Sequence, residues 1–198
     1  MIYCIMGFGK GKTESAIGCT IRALQNGDDV LFVQFLKGGN SSEIQFFQDY
    51  ARVHILTGQV SKITLPENLT TIDMCDSQHL FSTMANYIAK NKPKLVIADE
   101  LLPSLDMGLI TIEQVEYLIL KCKEVESDLY MTGRIKSKAL RNRIAELSDI
   151  CTDAFCVKHS YNSHCKKCSK DWKAHYVYCP YCGNTLIKSR KAKLGRDY

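Results

Sequence analysis

The sequence predicts an α/β fold, a mostly parallel sheet with helices on both faces, carrying a phosphate-binding loop and a small metal-binding appendage. Three observations predict it. The apolar run Ile2-Tyr3-Cys4-Ile5-Met6 enters Gly7-Phe8-Gly9-Lys10-Gly11-Lys12-Thr13, and a helix-period segment with Ile17, Ile21 and Leu24 on one side leaves it. Strand-like runs then alternate with helix-period segments, the order that builds a parallel sheet covered on both sides. Near the C-terminus, Cys165, Cys168, Cys179 and Cys182 form two C-x-x-C pairs.

Strand, glycine-rich turn and helix is the context in which backbone N–H groups converge on an anion at a helix's positive end. Gly11-Lys12-Thr13 supplies the core of G-x-x-x-x-G-K-[ST]: Lys12 carries charge to a phosphate, and the Thr13 hydroxyl can hold Mg²⁺. Met6 stands where that pattern has its first glycine, while Gly7 and Gly9 still supply residues that tolerate positive φ. Gly7, Phe8, Gly9, Lys10, Gly11, Lys12 and Thr13 are therefore the expected nucleotide-binding residues.

Along the chain, Asn26-Gly27 stops the first helix, and Asp29–Phe35 reads as a buried strand ending at Lys37-Gly38-Gly39-Asn40. Ligands of open α/β sheets sit at the carboxyl ends of strands, so Lys37 is an expected second cation for a polyphosphate. Ser42 reads as the cap of a helix running to about Ala51, followed by a strand at Val53-His54-Ile55-Leu56. Thr57 to Cys75 is polar, irregular and holds Pro66, too long for an ordinary connection. A helix from about Asp76 to Lys90 would present Leu80, Met84 and Ile88 on one face.

Lys94-Leu95-Val96-Ile97-Ala98-Asp99-Glu100 is an apolar strand ending in two carboxylates. Beside a phosphate loop, Asp99 is placed to hold Mg²⁺, directly or through water, and Glu100 to orient a water or a substrate. Thr111 with Gln114 forms a capping box for a helix reaching Cys122. Leu129–Thr132 is a further strand, followed by Gly133-Arg134, where the Arg134 guanidinium can fork onto phosphate oxygens. A helix over Ser137–Leu147 and a strand over Ile150–Val157 complete the order. The catalytic candidates are Lys12, Glu100 and Arg134.

Two C-x-x-C turns give four thiolates to one ion, the closed tetrahedral site of structural Zn²⁺, which supplies folding free energy to a segment with a small core. An iron–sulfur centre is the alternative, with His159, His164 and His175 as alternative ligands. Residues 158–198 hold 10 Lys and Arg against 2 Asp and Glu, net +8, whereas residues 1–157 hold 16 against 19, net −3. A basic tail suggests an anionic partner. Trp172, the sole tryptophan, lies there among tyrosines, where it could stack on a planar ring or build the ribbon's own core. No apolar run approaches the ~20 residues of a membrane-spanning helix. The N-terminus enters strand and loop at once, so the expected location is cytoplasmic.

Taken together, several stretches resemble the ATP:corrinoid adenosyltransferases of the bacterial cobalamin pathway. They are residues 7–13, Arg22-Ala23, Val33-Gln34-Phe35-Leu36-Lys37-Gly38, Asp99-Glu100-Leu101 with Gly108-Leu109, Thr132-Gly133-Arg134, Val157–Tyr161 and Ser189 to Tyr198. The resemblance implies a P-loop NTPase sheet of RecA-like type over residues 1–161; the zinc ribbon over 162–188, not a usual part of the family, is then inserted into the family's tail, which ends over 189–198. It implies ATP and a corrinoid as substrates, with reduced cobalt attacking C5′ and expelling triphosphate, and a homodimer. The family's Gly-Phe-Thr-Trp segment is replaced by Gly58-Gln59-Val60-Ser61, and its Asn after Asp-Glu-Leu by Leu102. A thymidine-kinase-like phosphotransferase, with Glu100 as base, and a non-catalytic ATP module whose ribbon holds nucleic acid are the alternatives.

Overall fold

The computed structural model describes residues 1–58, 69–155, 165–167 and 185, and as secondary-structure elements also 161–164, 170–173, 187 and 188. Two units divide the chain, Met1–Ala154 and Phe155–Tyr198.

The first unit is a six-stranded parallel sheet with helices on both faces. Its strands are β1 (Ile2–Met6), β2 (Val30–Gln34), β3 (Val53–Thr57), β4 (Leu95–Asp99), β5 (Asp128–Gly133) and β6 (Ile150–Asp153). They lie in the order β3-β2-β4-β5-β1-β6, and every pairing is parallel. All five residues of β2 and of β4 are buried, as central strands covered on two sides require. The expected mostly parallel sheet is borne out as a P-loop-like α/β unit.

Alternate residues feed two cores. Val30 and Phe32 of β2 face the helices α1 (Lys12–Gln25) and α2 (Ser42–Phe47), packing with Ala16, Ala23, Ile44 and Phe47. Leu31 and Val33 face the other side, with α3 (Thr71–Asn91), α4 (Leu101–Asp106), α5 (Ile112–Glu124) and α6 (Lys138–Leu147). Leu80, Met84 and Ile88 are buried there on one face of α3, as their spacing predicts. Truncating a residue such as Met84 to Ala would cost about 2–5 kcal/mol in lost burial and cavity formation.

Several local expectations are corrected. On α1 the sheet side carries Ala16, Thr20 and Ala23, and Ile21 is 49% exposed. Small residues let the helix approach β4 and β5 closely, so the large apolar ones move to the flank. Ser41, not Ser42, is the N-cap of α2, and the helix ends at Phe47, short of Ala51. Helix α3 begins at Thr71, five residues before Asp76, because Thr70 and Asp73 form a capping box. Strand β6 stops at Asp153, and residues 156–160 lie outside the described ones. The short α4 has no counterpart in the sequence reading.

In the second unit, β7 (Tyr161–Cys165), β8 (Lys170–Lys173) and β9 (Ile187–Lys188) form an antiparallel sheet in the order β8-β7-β9. Cys165, one of the four expected zinc ligands, ends β7 and is buried. Cys168, Cys179 and Cys182 lie outside the described residues, as do the Trp172 side chain, residues 59–61 and the 189–198 tail. Among the described residues, no group of three or more His, Cys, Asp or Glu gathers as a metal site, and no helix is long and apolar enough to cross a membrane.

Candidate nucleotide-binding site

The loop after β1 is shaped by two neighbouring strand ends. Gly7 N–H donates to the Gly133 carbonyl (3.2 Å) and Gly9 N–H to the Ala154 carbonyl (2.7 Å). Gly7 has φ +114°, and a Cβ there would collide with the Ala154 backbone, so only glycine satisfies both angle and space. Gly11 precedes α1 at φ +101° with open space around it. Its carbonyl accepts the first helical bond, from Ser15 N–H (2.9 Å), which leaves the N–H groups of Lys12, Thr13 and Glu14 without a helical acceptor. Those three point a positive helix end at whatever the loop encloses.

Lys12 is buried and donates its ammonium to the Gly9 carbonyl across the turn. Burial lowers its pKa, and the charge of Glu100 opposes that shift. Phe8 is 53% exposed and Lys10 is exposed, while Gly7 is buried beneath the loop.

Asp99 is the hub on the other side. Fully buried at the end of β4, it accepts four side-chain bonds. Thr13 Oγ1 (3.0 Å) and Thr132 Oγ1 (2.6 Å) reach Oδ1; Gln34 Nε2 (3.0 Å) and Lys37 Nζ (3.1 Å) reach Oδ2. One carboxylate thus ties α1 to the ends of β2, β4 and β5. Lys37 also lies 3.4 Å from Glu43 Oε1, and Gln34 Nε2 donates to that oxygen at 2.9 Å. Burial works to lower the Lys37 pKa, but Asp99, then Glu43 and Glu100, outweigh it and raise it.

Glu100 follows in the left-handed conformation, φ +57°, an uncommon state for a non-glycine residue. Its N–H donates to Thr132 Oγ1 (3.1 Å), and α4 starts at the next residue. Burial, joined by the charge of Asp99, raises its carboxyl pKa. Leu102, in the position of the expected Asn, is fully buried in α4, and a Cβ on Gly133 (φ +137°) would strike Pro103.

These elements enclose a cavity of about 610 Å³. Gly9 to Thr13 form one wall; Lys37, Glu100 and Arg134 lie along the others, with Leu36, Pro103 and Met107 as an apolar side. The structure therefore brings together Gly9, Lys10, Gly11, Lys12, Thr13, Lys37, Glu100 and Arg134, with Asp99 beneath them. Gly7 supports the wall from below, and Phe8 does not line the cavity.

Sequence reasoning missed several members. Lys136 adds a cation to the wall, and Asp106 accepts the N–H groups of Lys136 and Ser137 (3.0 Å each), which fixes the loop carrying Arg134. Gln34 and Glu43 were also missed. Gln34 had a signal, a polar residue closing an otherwise apolar buried strand; Asp106 and Lys136 had none. Chemically, the cavity can take a polyphosphate among five cations, Lys10, Lys12, Lys37, Arg134 and Lys136. The Thr13 hydroxyl and Asp99 carboxylate are hard oxygen donors suited to Mg²⁺.

Comparison with known proteins agrees with this chemistry. The family model described as ATP:corrinoid adenosyltransferase BtuR/CobO/CobP matches residues 1–169. A corrinoid adenosyltransferase of Pseudomonas aeruginosa is 28% identical over 167 residues, covering 81% of this chain and 77% of that protein. An uncharacterized protein of Nostoc sp. is 29% identical over 148 residues, covering 67% of this chain but only 39% of that longer protein.

Proposed function

The chain belongs to the ATP:corrinoid adenosyltransferase family, a family of transferases, and from that premise we propose that it moves the 5′-deoxyadenosyl group of ATP onto the cobalt of a reduced corrinoid, releasing triphosphate. The observation that carries the reading is the cation-lined cavity at the start of α1, with a threonine hydroxyl and a buried aspartate at its base. In this reaction a cobalt–carbon bond forms, the C5′–oxygen bond breaks, and the triphosphate leaves with the bonding pair. No proton is removed, so no general base is required.

The triphosphate lies against Gly9–Thr13, where the N–H groups of Lys12, Thr13 and Glu14 receive phosphate oxygens. Lys12 leaves the Gly9 carbonyl for the phosphate chain, exchanging a neutral acceptor for a charged one. Arg134 and Lys37 take up charge as it grows on the leaving group. Thr13 and Asp99 would hold Mg²⁺, which would supply further charge neutralisation there. Glu100 orients the nucleotide's ribose side, its backbone fixed by Thr132. Leu36, Pro103 and Met107 give the adenosine and the corrin edge a dry surface. Cys165, Cys168, Cys179 and Cys182 would hold a structural Zn²⁺, and the active form is a cytoplasmic homodimer.

Incubation with Mg·ATP and a chemically reduced corrinoid tests the reading. Tripolyphosphate and an adenosyl–cobalt spectrum in equal amounts are expected. ADP formed only when thymidine is added would replace it with the kinase reading, and nucleotide retention without turnover would replace it with a binding module.

A further inference from the structure

The Lys37 ammonium is not directed freely into the cavity. It bridges Asp99 Oδ2 (3.1 Å) and Glu43 Oε1 (3.4 Å). Gln34 Nε2 bridges the same two oxygens, and Ser41 Oγ donates to the Gln34 carbonyl at 2.9 Å, so the amide cannot turn away. The Lys37 side chain is 26% exposed, Glu43 15%, and Asp99 wholly buried. A carboxylate that a divalent cation would approach from the Thr13 side is thus already paired, on its other oxygen, with a full positive charge.

Two cations cannot share one buried carboxylate cheaply, because repulsion between them is weakly screened there. A divalent cation arriving alone must either displace the ammonium, leaving it only Glu43 at 3.4 Å and the charge of Glu100, or sit beside it. A triphosphate changes that balance, since it offers Lys37 new anionic oxygens within reach of its four-carbon stem. We propose that Lys37 is a place-holder for the divalent metal: it neutralises Asp99 until a phosphate chain arrives, then moves to the phosphates and releases Asp99, so that metal and nucleotide enter together. Glu43 and Gln34 position the ammonium for this exchange. The inference rests on the nucleotide reading above and adds an order of binding to it.

Mn²⁺ serves as the probe, titrated alone through its free-ion EPR signal and with ATP through retention of Mn²⁺·ATP on ultrafiltration. Wild type should retain Mn²⁺·ATP at concentrations at least about tenfold below those needed for Mn²⁺ alone. Lys37→Met should tighten the binding of Mn²⁺ alone by about tenfold or more while weakening retention of Mn²⁺·ATP. Lys136→Met removes the same charge from the cavity wall without a bond to Asp99, and should change the affinity for Mn²⁺ alone less than about twofold. Thermal melts check that each variant folds, and Lys37→Gln repeats the test with a polar replacement. The proposal is overturned if Lys37→Met leaves the binding of Mn²⁺ alone unchanged, if Lys136→Met tightens it equally, or if wild type takes Mn²⁺ alone as well as with ATP. Failure of wild type to retain Mn²⁺·ATP at all would overturn the nucleotide reading itself, and this proposal with it.

Discussion

Replacing Asp99 by asparagine isolates the charge at the centre of the site while keeping its shape. Four donors converge on Asp99: two threonine hydroxyls on Oδ1, and the Gln34 amide and Lys37 ammonium on Oδ2. Hydroxyls can rotate and accept, whereas an amide N–H and an ammonium cannot. The new side chain would therefore turn its carbonyl to Gln34 and Lys37 and its NH₂ to Thr13 and Thr132, and all four contacts survive. What disappears is the charge assistance. A bond to a charged group contributes about 1.5–3 kcal/mol against about 1 for a neutral pair, so the net loss near pH 7 is about 1–3 kcal/mol. At about 2–4 °C per kcal/mol for a chain of this size, the melting temperature falls by about 2–12 °C. Asp99→Leu, which leaves the ammonium and the amide short of an acceptor, should cost more, about 3–5 kcal/mol. The pH dependence follows from Lys37. Its folded pKa is raised above the ordinary 10.5, so the stability it contributes is complete below that value and is lost as pH climbs through the raised one. Melting curves of wild type and Asp99→Asn should keep a constant gap from about pH 6 to 9 and converge in the alkaline range. Equal melting temperatures at neutral pH, or a gap unchanged at high pH, would refute the Lys37–Asp99 argument.

Other consequences are as direct. Gly133→Ala forces a Cβ onto Pro103 at φ +137° and should destabilise by about 3 kcal/mol or more, while Gly11→Ala, strained at φ +101° but unobstructed, should cost only about 1–2, both read from urea melts. Burial raises the Glu100 pKa and lowers that of Lys12, so each charged form is disfavoured in the fold. Glu100→Gln should therefore stabilise the protein without ligand by up to about 1 kcal/mol at about pH 7–8, the gain fading as pH falls toward 4.5, because ionisation above that range favours the unfolded chain. Lys12→Met should likewise raise the melting temperature slightly and abolish ATP retention. Metal analysis of the full chain should find one zinc, lost in Cys165→Ser; zinc-free protein, or a variant that keeps it, would contradict the ribbon.

Much of this was written locally. The turn residues, the apolar runs of β2 and β4 and the Asp99-Glu100 corner depend on neighbours in sequence, so periodicity and glycine placement reveal them. The Thr70–Asp73 box was equally readable, since Thr-x-x-Asp is a capping pattern. Other features depend on packing between distant segments. Ile21 stands on an apolar spacing, yet the sheet selects Ala16, Thr20 and Ala23 because they are small. Helix α4 contains Pro103 and spans only six residues, too short for a period, and it starts from a left-handed Glu100. Lys37 was readable as a cation near phosphate, but its pairing with Asp99, 62 residues away, exists only once β2 and β4 lie side by side. Asp106 likewise acts on backbone N–H groups 30 and 31 residues along the chain.

The account turns on a triphosphate leaving from the cavity at the start of α1. Chromatography of the phosphate products after single turnover with Mg·ATP and a cobalt(I) corrinoid tests it most directly. One tripolyphosphate per adenosyl–cobalt bond formed is predicted for wild type, with none from Lys12→Met. Orthophosphate and ADP as the primary products, or adenosylation undiminished in Lys12→Met, would contradict it.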